Sequence, residues 1–187
     1  MHELLSKKII PVIIGGTDDL AFANFKAYER FEHTINITHI SKSIPLGNPE
    51  EEILNTNWLN KVILYQPNYL FNYSHLGFQS FYVDESEKEL LDSLNFDFHR
   101  LGEISNNVEQ AEPIVRNSDM LSFNMDAIRN SDANDVFNSS PNGLHGHQAC
   151  QIAKYAGISD KLTTFGIYNA NLSSASITSE LMAQMVW

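Results

Sequence analysis

Apolar residues along this chain fall into short continuous runs separated by stretches with helical spacing. The first run, residues 9–14, ends at Gly15-Gly16. A continuous run of this length, closed by glycine, is typical of a strand buried on both faces of a parallel sheet. We expect a helix to follow, with Thr17 or Asp18 as its cap.

The same alternation continues to the end of the chain. Further strands are predicted at 34–40, once or twice within 61–83, and at 96–101, 120–126 and 162–168. Helices are predicted at 20–30, from Pro49 onward, and at 85–94, 103–117, 147–156 and 176–187. Strands that alternate with helices predict an α/β fold, with a mostly parallel, doubly wound sheet and helices on both faces.

In such sheets ligands bind beyond the carboxyl ends of the strands. Asn124 and Asp126 alternate at one predicted strand end, so their side chains share a face, and a D-x-D pair there would hold a hard metal ion. The amide of Asn124 brings no charge and weakens such a site. The alternative to metal binding is a structural role, in which Asp126 caps a turn and Asp18 caps a helix. The long loop 131–144 is of a length that is usually functional.

A second group of candidate ligands lies in His145-Gly146-His147 with Cys150. Two histidines and a cysteine would bind zinc if a fourth ligand came from elsewhere. The alternative for Cys150 is a small core residue on an apolar helix face. Gly15-Gly16 is neither a P-loop nor a dinucleotide fingerprint, which disfavours a nucleotide enzyme.

Composition restricts the location and the partners. The 187 residues suffice for a single domain, 1–187, and the one cysteine indicates no disulfide framework and a reducing, cytoplasmic location. The net charge of −11 disfavours nucleic acid and anionic membrane as partners. No uncharged apolar run approaches the roughly 20 residues that span a bilayer.

Taken in order, several segments resemble the ureohydrolase family of arginases, agmatinases and formimidoylglutamases. They are residues 11–16 with the helix that follows, 122–127 and 165–171, while 139–144 and 149–157 look most like the formimidoylglutamase-like branch found in Bacteroidetes. The resemblance implies a three-layer α/β/α sandwich and two Mn²⁺ ions that activate a water molecule. Family proteins are longer, so it also implies that this chain is a fragment lacking the N-terminal part of the sheet.

The resemblance implies six metal ligands: a His after the Gly-Gly turn, three residues of a D-x-H-x-D motif and two of a D-x-D motif. The His position is Asp18 and the D-x-D pair is Asn124 and Asp126. The three D-x-H-x-D positions are expected at Thr38, Ile40 and Lys42, and residues 33–44 contain no Asp or Glu.

The resemblance also places the family's substrate-binding Glu, from an E-x-N-P motif, at Asn169 and its Pro at Leu172. We therefore expect degenerate metal motifs, no bound cofactor and a catalytically inactive homologue with a binding or scaffold role. The alternative is an active hydrolase of a formimidoyl or guanidino C–N bond, with Mn²⁺ held by Asp18, Asn124, Asp126 and either His39 or His145. A homo-oligomer is expected, and the residues identify no protein partner.

Overall fold

The computed structural model describes residues 1–171 and 176–187. Its six strands form one sheet in which every pairing is parallel, in the order β1-β6-β5-β2-β3-β4. The strands are β1 (Val12–Ile14), β2 (Ile35–Ile40), β3 (Leu70–Phe78), β4 (Asp97–Arg100), β5 (Met120–Asn124) and β6 (Thr164–Tyr168). The helices are α1 (His2–Ser6), α2 (Leu20–Lys26), α3 (Trp58–Ile63), α4 (Glu85–Ser93), α5 (Leu101–Asn106), α6 (Ala111–Arg116), α7 (Gly146–Gly157) and α8 (Ile177–Val186).

Helices cover both faces of the sheet, which confirms the predicted three-layer α/β/α sandwich. One buried cluster packs α5, α6, α7 and α8 against residues such as Ile40 and Phe123. The other packs α2, α3 and α4 against residues such as Ile37 and Tyr73. Among the helices that the described residues form, none is long and apolar enough to cross a membrane.

The chain leaves two neighbouring strands in opposite directions, so a topological switch point lies between them. From β2 it passes through α3 to β3, and from β5 it passes through α7 to β6 on the other side. Open α/β sheets bind ligands at such a switch point. The carboxyl ends of β2 and β5 are therefore where a site is expected.

The first strand differs from its prediction. It comprises only Val12–Ile14 and lies at the sheet edge, where Val12 and Ile14 remain 44% and 49% exposed. Among the described residues β1 pairs with β6 alone, and the apolar run 9–14 does not form a strand buried on both faces.

Two helix predictions were also wrong in their bounds. The helix expected from Pro49 begins instead at Trp58, because the Asn57 side chain bonds the backbone of Asn48, Glu52 and Leu54 and holds that segment in turns. The helix expected at 103–117 is two short helices, α5 and α6, joined by a 3₁₀ turn. The loop 131–144 contains no helix or strand, as predicted.

Candidate functional site

Asp126 lies buried at the switch point between β2 and β5. Its Oδ1 accepts a hydrogen bond from the Ser41 hydroxyl at 3.0 Å and from the Lys42 backbone N–H at 3.3 Å. Its own backbone N–H donates to Oδ1 of Asn124 at 3.0 Å. The Asn124 side chain therefore holds the turn that follows β5, and Asp126 joins the ends of the two strands.

Asp18 reaches the site from the turn after β1. Gly15 and Gly16 both have positive φ, 97° and 77°, and a Cβ on Gly16 would also collide with the Leu20 side chain. This turn is open to glycine but strained for other residues. It carries the chain into Asp18, which is only 1% exposed.

Both carboxylate oxygens of Asp18 have hydrogen-bond donors. Oδ2 accepts from the indole Nε1 of Trp58 at 3.0 Å, and Oδ1 accepts from the Ser122 hydroxyl at 3.2 Å. Nε2 of His39 lies 3.0 Å from Oδ2. That contact is close but not aligned as a hydrogen bond, since within 1–171 and 176–187 this buried nitrogen has no hydrogen-bond partner.

A buried chain of polar groups continues from His39 across the sheet. Nδ1 of His39 lies 3.1 Å from the Tyr73 hydroxyl, which lies 2.9 Å from Nδ1 of His75. Nε2 of His75 is 3.0 Å from the backbone carbonyl oxygen of Ser41. The chain therefore runs from Asp18 to Ser41, whose hydroxyl bonds Asp126.

The carbonyl of Ser41 fixes the direction of this chain. A carbonyl oxygen only accepts, so Nε2 of His75 carries the proton and its Nδ1 accepts from the Tyr73 hydroxyl. The Tyr73 oxygen in turn accepts from Nδ1 of His39. Burial raises the pKa of Tyr73 well above its ordinary value, and burial together with the neighbouring His39 lowers the pKa of His75, so Tyr73 keeps its proton and His75 is neutral.

Asp126 has a shifted acidity. Burial, and after it the negative charge of Asp18, raises the pKa of Asp126 from 3.8 to about 6. The bonds from Lys42 and Ser41 and the charge of Lys42 act in the opposite direction. The charge of Asp18 therefore acts on Asp126 across the switch point.

Lys42 is a buried cation beside this environment. It is 7% exposed, its ammonium donates to the backbone carbonyl of Asn138, and Nζ lies 4.5 Å from the centre of the Tyr82 ring. The ring supplies a cation–π contact. Lys42 thus attaches the loop 131–144 to the site.

Asn169 follows β6 and connects two segments around the site. Its backbone N–H donates to the Gly16 carbonyl at 2.8 Å, and its carbonyl accepts from the Phe137 N–H at 3.0 Å. Its side-chain Oδ1 is buried without a hydrogen-bond partner among the described residues. Leu172, the position expected for the family's Pro, lies outside the described residues.

At the end of β2 the side chains of His39 and Ser41 reach the site, whereas those of Thr38 and Ile40, two of the three expected D-x-H-x-D positions, do not. His39 is paired in register with Ser122 and, with Ser41, reaches Asp18 and Asp126. Thr38 bonds Ser118, and Ile40 packs in the cluster on the opposite face. The sequence alone does not decide which of these residues face the site, because neither Thr38, Ile40 and Lys42 nor His39 and Ser41 include a carboxylate that would mark a metal ligand.

Several residues of the site were missed from the sequence. Trp58, Ser122, Tyr73 and His75 all bond within it. A signal for these residues was present in the sequence. Residues two apart on a strand point to the same face, so His39 with Ser41 and Tyr73 with His75 each place two polar side chains on one face.

The centres of the His145 and His147 rings lie 5.4 Å apart. Cys150, within α7, is partly buried against the cluster that contains Ile40 and Phe123. Nowhere in the described part of the chain do three or more His, Cys, Asp or Glu side chains form a group that could hold a metal ion.

Comparison with known proteins gives consistent matches. A family model described as the arginase family matches residues 1–187. The structure of Trypanosoma cruzi formiminoglutamase with Mn²⁺ superposes with a TM-score of 0.86 at 15% identity, covering 98% of this chain and 65% of that one. Formimidoylglutamase from Bacillus subtilis gives a TM-score of 0.85 at 18% identity, covering 99% and 62%.

A third similar structure is an arginase-like protein from T. brucei, solved as a quadruple mutant in which three serines become aspartate and one arginine becomes histidine. Its TM-score is 0.77 at 16% identity, and the match covers 99% of this chain and 60% of that one. No curated protein sequence matches the chain. The chain thus spans somewhat less than two thirds of the length of these three structures.

Proposed function

This chain belongs to the arginase family, and we propose that it is a member that works without the two-Mn²⁺ centre, as a binding or scaffolding module. In this proposal the chain retains the family sheet, and the residues at its switch point perform no hydrolytic step.

The observation that carries the proposal is the bonding of Asp18. The resemblance expects a metal ligand at this residue, yet hydrogens from Trp58 and Ser122 are directed at its two oxygens. A carboxylate has about four lone-pair sites, so these bonds occupy one on each oxygen, and the Trp58 indole can only donate. The protein thus already uses half of the sites that Asp18 offers to an ion.

Charge supports the same conclusion. Two Mn²⁺ ions bring four positive charges, whereas the strand ends supply Asp18 and Asp126, with the buried Lys42 beside Asp126. A cation at about 4 Å from a dication costs several kcal/mol even at an effective dielectric near 20. These residues do not fit a dinuclear Mn²⁺ centre.

The T. brucei structure is relevant to this proposal. It is a quadruple mutant in which three aspartates and one histidine were introduced into an arginase-like protein. Aspartate and histidine are the residue types that the resemblance expects at the metal positions. In this chain His39 on β2 and Ser41 just after it reach the site.

One observation favours the alternative, a metal-dependent hydrolase of a formimidoyl or guanidino C–N bond. Nε2 of His39 lies 3.0 Å from Oδ2 of Asp18 without an aligned hydrogen bond. Two adjacent ligands of one ion, each at roughly 2.1 Å, are also about 3 Å apart. A single ion held by Asp18 and His39 is therefore the second candidate.

Metal analysis of the purified protein, combined with a Mn²⁺ titration followed by thermal unfolding, distinguishes the two candidates. We expect no stoichiometric metal and no change in the unfolding temperature. An ion at one hundred times its dissociation constant would add about 2.7 kcal/mol of stability, which is a rise of several degrees for a domain of this size.

Activity assays complete the test. The Mn²⁺-treated protein is incubated with formiminoglutamate, arginine and agmatine, and release of formamide, ammonia or urea is measured. The proposal predicts none above a buffer control. One or two Mn²⁺ bound per chain, or product release that EDTA abolishes, would overturn it.

A further inference from the structure

Polar side chains occupy part of the sheet face that α6 covers. Asn36 and Thr38 of β2 lie in register with Asn72 and Ser74 of β3, and Ser74 lies in register with Asp97 of β4. Residues in register or two apart share a face, so these five side chains form one polar patch. Strands between two helical layers are normally apolar on both faces. Core packing therefore does not account for the polar patch.

A groove lies between the polar patch and α6. Its volume is about 190 Å³, and it is lined by the polar patch and by Pro113, Ile114, Asn117 and Ser118. That volume holds roughly six water molecules, since each takes about 30 Å³ in the liquid. The lining residues all fall within 36–118, and β5 and β6 separate β2 from the sheet edge at β1. The groove is therefore independent of that edge.

Two polar groups in the groove lack hydrogen-bond partners among the described residues. Oδ1 of Asn36 is buried and has none, although Nδ2 of the same side chain donates to the Asn117 carbonyl at 2.9 Å. Ser74 is only 6% exposed, and its hydroxyl makes no hydrogen bond within the described part of the chain either. Buried polar groups are normally hydrogen-bonded, so these two indicate an occupant of the groove.

The other polar groups of the groove offer acceptors. The Ser118 hydroxyl donates to the Ile114 carbonyl at 3.2 Å, so its oxygen accepts from Thr38, whose own lone pairs remain available. Nδ2 of Asn72 donates to Oδ2 of Asp97 at 3.3 Å, which leaves Oδ1 of Asn72 and most of the Asp97 carboxylate as acceptors. A molecule that fits the groove must therefore bring N–H or O–H donors.

The groove also has a negative charge. Among the described residues that line it, Asp97 is the one with a charge, and it is exposed at the rim together with Asn117. Lys161 donates to Oδ1 of Asn117 from outside the lining, and its charge acts on the nearby Asp119. A cation can therefore bind beside Asp97.

We propose that this groove binds a small protonated amine whose carbon chain carries a second hydrogen-bond donor. The ammonium group donates to Asp97 and Ser74, the second donor bonds Oδ1 of Asn36, and the chain packs against Pro113 and Ile114. Strands β2 and β4 flank β3 and are about 10 Å apart, so a chain of roughly four carbons bridges the side chains that extend from them. Charge-assisted hydrogen bonds make the ammonium end the stronger contact.

Titration of the ¹⁵N-labelled full chain with 4-amino-1-butanol, followed by NMR, tests the proposal. We expect the backbone amide signals of Ser74 and Asp97 and the side-chain amide of Asn36 to shift, with a dissociation constant of about 0.1–10 mM. In 1,4-butanediol a hydroxyl replaces the ammonium, and butylamine lacks the second donor. We expect butanediol to bind at least about tenfold more weakly and butylamine about threefold more weakly.

Variants locate the site. Asp97→Asn should weaken binding of 4-amino-1-butanol about tenfold, and Ser74→Ala about threefold. Asp92→Asn is the matched control, since Asp92 is exposed on α4, in the opposite helical layer, and should bind as the wild type does. None of these readouts depends on metal at the switch point, so this proposal and the proposed function fail separately.

Three results would overturn the proposal. The first is the absence of shifts at the groove up to roughly 100 mM amine, ten times the weakest constant expected, which would mean that the groove holds water only. The second is equal binding of butanediol or butylamine. The third is unchanged affinity of the folded Asp97→Asn variant.

Discussion

The indole Nε1 of Trp58 donates to Oδ2 of Asp18 at 3.0 Å, and the two side chains are 0% and 1% exposed. The bond attaches the first residue of α3 to the turn after β1. It therefore stabilises the junction of two helices with the sheet, at a residue that the resemblance expects to be a metal ligand.

We predict that Trp58→Phe lowers the free energy of unfolding by about 2–3 kcal/mol, because it leaves a buried carboxylate oxygen without its donor. Denaturant unfolding followed by circular dichroism measures the loss. Trp187→Phe is the matched control, since Trp187 is fully exposed at the end of the chain, and it should change little. Equal stability of the two variants would show that the Trp58 bond contributes nothing.

The raised pKa of Asp126 predicts a pH dependence with a defined sign. Between pH 3.8 and about 6 the carboxyl is ionised in the unfolded chain but protonated in the fold, so the unfolded state binds fewer protons. Stability from this group is therefore lost as pH rises through that window, by roughly 3 kcal/mol in total.

Asp126→Asn should remove that dependence. We expect the free energy of unfolding of the wild type, relative to the Asn variant, to fall by about 3 kcal/mol between pH 3.5 and 7. Denaturant curves of both proteins across this range measure it. A difference that stays constant with pH would contradict the shifted acidity of Asp126.

Much of the fold follows from the apolar pattern, and the site follows from it only in part. Segments such as 120–126 and 162–168 predicted strands because they are rich in apolar residues, as a strand between two helical layers must be. The exposure of β1 was not predicted from its apolar run, since burial of a run depends on how many neighbours the sheet supplies. Trp58 was missed because an indole 40 residues from Asp18 has no local signal.

The alternation of side chains at the end of β2 gives a further prediction about metal binding. A variant with the expected ligand types at His39 and Ser41 should bind Mn²⁺, whereas one with them at Thr38 and Ile40 should not. The first set is Asp18→His, His39→Asp, Ser41→His, Ser43→Asp and Asn124→Asp; the second replaces the changes at His39, Ser41 and Ser43 by Thr38→Asp, Ile40→His and Lys42→Asp.

Metal content and thermal unfolding with Mn²⁺ compare the two sets. The second set should also be less stable, because Ile40 is fully buried in the core and a His there has no polar partner. A first-set variant that folds, as judged by circular dichroism, and still binds no Mn²⁺ would show that His39 and Ser41 do not occupy the ligand positions.

Gly143 provides the sharpest test of how the loop 131–144 is attached to the site. A Cβ at this position would lie 2.5 Å from the Arg129 nitrogen and 2.6 Å from the Ala127 oxygen, both backbone atoms that do not yield easily. The neighbouring Leu144 exchanges backbone hydrogen bonds with Ala127 and Arg129, at 2.8 and 3.1 Å. We therefore predict that Gly143→Ala lowers the free energy of unfolding by about 3 kcal/mol or more.

Gly102→Ala in α5 is the matched control. Its added Cβ meets no atom within 4 Å, so the variant should be as stable as the wild type or more stable by a few tenths to about 1 kcal/mol. Denaturant unfolding of both variants measures the contrast, and a Gly143→Ala protein as stable as Gly102→Ala would mean that the loop does not pack against the segment after β5.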